Sequence, residues 1–223
     1  MSIGVIAKKR GMTQIFDEEG QVTPVTILEL YPLTVSQSKT KENDGYTAVQ
    51  VAYEPAKAKH VNKPEQGLFN KIGIELHRHL QEFRLTEEEL AQYSVGQALE
   101  VESVFQAGDA VKVTGTSIGK GFQGTVKAWH FGRGPMSHGS KSHRLPGSIG
   151  AGTTPSRVRK GLKMAKNLGN ETVTVKNLKV MNIVSVQDDK TDATVHLLLV
   201  SGAVPGKKGS VVTVLPFKRV GQK

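Results

Sequence analysis

The chain of 223 residues carries 30 lysines and arginines against 20 aspartates and glutamates, and no cysteine. The missing cysteines exclude disulfides, thiolate nucleophiles and cysteine zinc sites together, and no apolar run reaches the roughly 18 residues of a membrane helix. At 37%, the hydrophobic fraction is low for a wholly globular chain, so part of the molecule is expected to lie outside a core.

Taken in chain order, MSIGVIAKKRGMTQIF has too short an apolar stretch for a secretory leader, and a cytoplasmic protein is expected. Its Lys8, Lys9 and Arg10 alone would form only a solvated basic turn. Gln21–Lys39 and Tyr46–Pro55, rich in β-branched residues, are predicted as strands separated by a turn at Asn43-Asp44-Gly45. From residue 55 to 95 a partly helical insert is expected, with short helices in PEQGLFNKIG and TEEELAQY. Thr86 and Glu89 of the second have the spacing of a capping box. Ala98–Val104 and Ala110–Thr114 return to strand patterning, with a turn at Gly108-Asp109. After residue 170 three further strands are predicted within 171–187, 193–206 and 210–218, with turns at Asp188-Asp189 and Pro205-Gly206. Many short strands, strong turn signals and few helices predict a mainly β fold, as a closed or nearly closed barrel. Strands on both sides of the basic stretch predict one core with a long excursion.

That excursion holds the excess charge. No acidic residue lies between Asp109 and Glu171, where eleven lysines and arginines fall; the rest of the chain has 30 − 11 = 19 basic and 20 acidic residues. A solubilising surface mixes signs, whereas one-signed charge over such a length repels itself unless a polyanion neutralises it. Twelve of the 24 glycines are here too, and Phe131, Met136, Leu145, Ile149, Val158 and Leu162 follow neither a strand nor a helix period. So long a connection is functional or unstructured. Ordering it costs about 1–2 kcal/mol of backbone entropy per residue with little burial in return, so a partner is expected to order it. Glycine permits close approach, arginine offers a planar fork to phosphate, and His and Trp offer flat faces to bases. The combination fits the interior of a folded RNA better than a DNA groove, which is normally read by a regular helix or ribbon.

Sharper motifs fail on their context. Gly119-Lys120-Gly121-Phe122-Gln123-Gly124 spells a dinucleotide fingerprint, but the following TVKAWHF is not convincingly helical and no acid occurs before Glu171. GTSIGKG is too short for a P-loop and lacks the hydroxyl residue after its lysine. His130, His138 and His143 have cationic neighbours and no local carboxylate, which disfavours a metal. A catalytic Ser/His pair or a pair of carboxylates would need acids from elsewhere in the fold. No catalytic residue, metal site or cofactor is expected.

Four stretches carry a resemblance that spans nearly the whole chain in order and spacing: IGVIAKKRGMTQIF, TGTSIGKGFQGTVKAWHFGRGPMSHGSKSHRLPGSIG, TPSRVRKGLKMAKNLGNETVTVKNL and LLLVSGAVPGKKGSVVTV. The chain resembles the bacterial-type L3 (universal uL3) family of large-subunit ribosomal proteins. The resemblance implies a six-stranded β-barrel akin to those of translation factors, with short helices and a long basic extension loop. The core would comprise 1–125 together with 165–223, and 126–164 would form an extended RNA-penetrating loop. It further implies a structural, non-enzymatic constituent of a bacterial-type or organellar large subunit. Such a protein binds large-subunit ribosomal RNA directly, takes part in early assembly, lies beside neighbouring large-subunit proteins and sends its loop toward the peptidyl-transferase centre; no membrane or DNA partner is implied. Carried onto this sequence, Trp129 lies near the innermost position. His138, Lys141, His143 and Arg144 contact RNA, and Arg157, Arg159, Lys160 and Lys163 bind phosphates on the return path. Lys8, Lys9, Arg10, Lys120, Lys127, His130, Arg133 and Lys166 complete the expected RNA-binding set. One departure is Ala151, which stands after GSIG where some members carry a methylated glutamine, so no such modification is expected. Two rival readings, a transient barrel-type translation factor or RNA chaperone and an RNA-modifying enzyme, do not account for a resemblance over the full chain.

Overall fold

The computed structural model describes residues 3–16, 19–100, 104–187 and 194–217. Twelve strands and four short α-helices occur among them: β1 Val5–Phe16, β2 Val22–Leu30, β3 Leu33–Lys39, α1 Lys41–Asp44, β4 Ala48–Pro55, α2 Lys63–Ile72, β5 His77–Arg84, α3 Glu87–Leu90, β6 Ala98–Leu99, β7 Ala110–Thr116, β8 Phe122–Gln123, α4 Thr125–Trp129, β9 Lys166–Asn167, β10 Thr172–Gln187, β11 Thr194–Ser201 and β12 Val211–Pro216. The chain is therefore mainly β. It forms two compact units: residues 1–115 with 173–223, and residues 116–172, inserted in the sequence between them.

In the first unit six strands follow one another in the order β1-β12-β7-β10-β11-β2, and β2 pairs back to β1 over Ala7↔Leu30 to Phe16↔Val22. Alternation turns one side inward: Val111 and Val113 of β7, Val212 and Val214 of β12, Leu198 and Val200 of β11 are all buried. Gly115 lies opposite Val212, where a Cβ would stand 2.9 Å from the valine methyl, so the two backbones approach as only glycine allows. A second sheet, β5-β4-β3-β6, contributes Val35, Val49, Val51 and Phe83 to the same hydrophobic cluster. Its other face is covered by α2 through Phe69, packed with Ala52 and Val61.

Several predicted elements differ in the structure. Residues 21–39 form two strands in two different sheets, because Pro32 has no amide hydrogen to continue the ladder and its ring restrains Tyr31. The expected turn at 43–45 is the end of α1, with Gly45 in the left-handed region at φ 77 as its C-cap. The 55–95 segment holds α2 and α3 but also β5, whose HRHLQEFR buries only His77 and Phe83 and so lacks an apolar period. At the N-terminus the structure adds β1, for which the sequence carries no strand signal because three basic residues interrupt its apolar run. Of the strand expected over 98–104 only Ala98–Leu99 is observed, and residues 101–103 lie outside the described ones, as does the turn at Asp188-Asp189. The capping box of α3 is present: the Thr86 amide donates to Glu89 Oε2 at 3.0 Å and the Glu89 amide to Thr86 Oγ1 at 3.4 Å.

Candidate nucleic-acid interface

Residues 116–172 carry ten lysines and arginines and one acid, Glu171, a net charge of 10 − 1 = +9. Thr125 is the only buried residue among them. This unit consequently has no hydrophobic core, and backbone pairing at its base holds it together. β8 and β9 pair antiparallel, Phe122 opposite Asn167 and Gln123 opposite Lys166. The Lys120 amide donates to Leu168 O at 2.7 Å, the Leu168 amide to Gly121 O at 2.9 Å, and the Ser117 amide to Glu171 O at 2.9 Å. Gly169, at φ 76, closes this stem; a Cβ there would overlap the Ile118 carbonyl.

Beyond the stem, α4 makes one turn and stops at His130, a C-cap at φ 60. TVKAW is thus helical, contrary to the sequence reading, but five residues do not constitute the long helix of a dinucleotide fold. From His130 to Ala165 there is no helix or strand. Two side chains organise this stretch. Trp129 Nε1 donates to Met164 O at 2.7 Å, joining the outgoing and returning arms. The ammonium groups of Lys163 and Lys166 stand 5.8 and 4.9 Å from its ring centre, within cation–π range. His143 Nδ1 hydrogen-bonds Pro135 O at 2.7 Å, which puts the proton on Nδ1 because a carbonyl can only accept. Beside it the Gly134 amide donates to His143 O at 3.0 Å, and a side chain at Gly134 would overlap the Ser142 carbonyl.

The remaining expected contacts of this unit, Lys120, Lys127, His130, Arg133, His138, Lys141, Arg144, Arg157, Arg159 and Lys160, are all exposed. Lys166 also approaches Glu171 Oε1 at 3.4 Å. Exposed cations on a glycine-punctuated backbone with one carboxylate among them can neutralise a polyanion that meets them from several sides. Among the described residues no three His, Asp or Glu side chains are grouped to hold a metal.

The N-terminal basic triplet belongs to the first unit and is differently engaged. Lys9 Nζ donates to Val204 O at 2.8 Å and Gly206 O at 2.9 Å, and burial lowers its pKa. Arg10 makes a two-pronged ion pair with Glu29, its Nη2 donating to Oε1 at 2.9 Å and its Nε meeting Oε2. Lys8 is half-buried on β1. Sequence reasoning could not find these partners, which lie 19 to 197 positions away. It also missed the stem-closing role of Gly169 and the close approach at Gly134, for which a glycine-rich composition is the only sequence signal.

Residues 74–197 match the family described as ribosomal protein L3. The chain is 48% identical over 223 residues to the large ribosomal subunit protein uL3 of Thermosynechococcus vestitus, covering all of both chains. It is equally similar to the uL3 of Trichormus variabilis, over 222 residues and all of both chains. The uL3 of Prochlorococcus marinus is 48% identical too, over all of this chain and 98% of the relative.

Proposed function

The chain belongs to the ribosomal protein L3 family, and from that premise we propose that it is a structural constituent of the large ribosomal subunit that binds large-subunit ribosomal RNA directly. The observation that carries this reading is a unit with net charge +9 and one buried residue, which needs a polyanion to compensate its charge and order its backbone. In this reading residues 126–164 enter the RNA as an extended loop reaching toward the peptidyl-transferase centre. Residues 1–125 and 165–223 form the platform, their six-stranded ring being a translation-factor-like barrel. Lys120, Lys127, Arg133, Lys141, Arg144, Arg157, Arg159, Lys160 and Lys163 meet phosphates, and His130 and His138 meet RNA along the path. Trp129, His143 and Lys166 act in part by holding the loop's own arms. Lys8 faces RNA from the platform, while Lys9 and Arg10 serve it through the fold. Binding early in assembly, beside other large-subunit proteins, the protein fixes RNA helices relative to one another, and any chemistry nearby belongs to the RNA.

Sedimentation of a native lysate through sucrose with magnesium, with the protein quantified in each fraction, tests the reading. About one copy per large subunit, retained through a moderate salt wash, is the expected result. Recovery mainly in light fractions would reassign the protein to a transient factor or an RNA-modifying enzyme.

A further inference from the structure

A recess of 320 Å³ lies within the second unit, lined chiefly by Phe131, Pro146, Ser148, Ile149, Leu162 and Lys163. Its size falls within the range of small-ligand sites. Resting on the RNA-binding reading above, we propose that this recess receives one unpaired nucleobase, with Lys163 meeting a phosphate of the same nucleotide.

Three observations carry the proposal. First, a unit with almost nothing buried keeps Ile149 at 44% and Leu162 at 41% exposure beside the half-buried Phe131. Apolar surface left in water at a concave place is a site awaiting an apolar face. Second, two other flat side chains of the loop already have work within it. Trp129 carries two lysine ammonium groups near its ring and spends its Nε1 on Met164, and His143 spends its Nδ1 on Pro135. Among the described residues Phe131 makes no such contact, leaving its ring and the aliphatic wall to supply the stacking surface. Third, the lining holds one charged residue, Lys163, and no acid. An apolar protein side chain would cover the recess but leave Lys163, in a unit of net charge +9, without a counter-charge. A nucleotide brings a flat apolar face and a phosphate together, and the Ser148 hydroxyl, unbonded among the described residues, can reach the polar edge of a base.

The test uses the full-length chain and two probes: a short single-stranded oligoadenylate, and an abasic ribose-phosphate oligomer with the same number of phosphates. Base stacking predicts about tenfold tighter binding of the oligoadenylate. The substitutions Ile149→Ser and Phe131→Ala should each bring the two affinities together, whereas Val95→Ser, on the first unit, should preserve the difference. Ile149 is exposed, so its replacement tests the recess without threatening the fold. Equal affinities in the unmodified chain would overturn the recess while leaving phosphate binding intact. A preference that survives both recess substitutions would place the base elsewhere and equally overturn it. If neither oligomer binds at low salt, the RNA-binding reading fails, and the recess proposal with it.

Discussion

Lys9 belongs to a triplet that reads as an anion contact, yet its ammonium is spent on the carbonyls of Val204 and Gly206. It ties β1 to the loop that precedes β12, which gives the side chain a structural task whatever its neighbours bind. Replacing it with methionine removes both bonds and leaves two carbonyls less well satisfied. Lys9→Met should lose about 1–2 kcal/mol of stability in urea unfolding at neutral pH. Burial lowers the lysine pKa from 10.5, so the folded state holds this proton less tightly than the unfolded chain does. The resulting penalty is fully present below the lowered pKa and is relieved as pH rises through it toward 10.5. Lys9→Met should abolish that alkaline gain, and a variant as stable as the parent at every pH would show that the two bonds contribute nothing.

The stem of the second unit depends on one backbone position. Gly169 has φ 76 and sits against the Ile118 carbonyl, so alanine there meets both a strained dihedral and an overlap. Gly169→Ala is expected to weaken the stem by about 1–3 kcal/mol. The amides of Lys120 and Leu168, which bond across it, should then exchange with solvent faster, while the amides pairing β1 with β12 keep their protection. Unchanged exchange at Lys120 and Leu168 would show that the stem tolerates the side chain. At this scale the sequence is legible wherever an element is specified locally. The capping box of α3 and the Asn62–Ile72 region of α2 are such cases, with Glu65 reaching back to the Asn62 amide and Gly73 ending the helix. It is less legible for β1 and β5, whose faces are set by partners distant in the chain, and for the break at Pro32, where one apolar run serves two sheets.

For the molecule as a whole, charge and loop architecture predict separate behaviours. If all eleven cations of residues 110–170 met phosphates, log affinity for ribosomal RNA would fall with log salt at a slope of about −8 to −10, and half that number would give about −4 to −5. A slope near zero in a filter-binding titration would contradict electrostatic docking. Trp129 should behave differently, since it joins two arms of a unit without a core. Trp129→Ala is expected to impair translation by ribosomes carrying it while leaving the melting temperature of the free chain nearly unchanged. A large loss of melting temperature with normal translation would assign the residue to stability instead.

The sequence by itself determined the mainly β character, the confinement of positive charge to one segment and the family, because alternation, net charge and motif order are local or additive properties of the chain. Only the tertiary structure decided which strands share a sheet, that Lys9 and Arg10 are bound within the fold, and that Trp129 and His143 hold the loop's own backbone. Those outcomes depend on which distant carbonyl or carboxylate comes within about 3 Å of a donor, and residue type fixes the capacity to bond without fixing the partner.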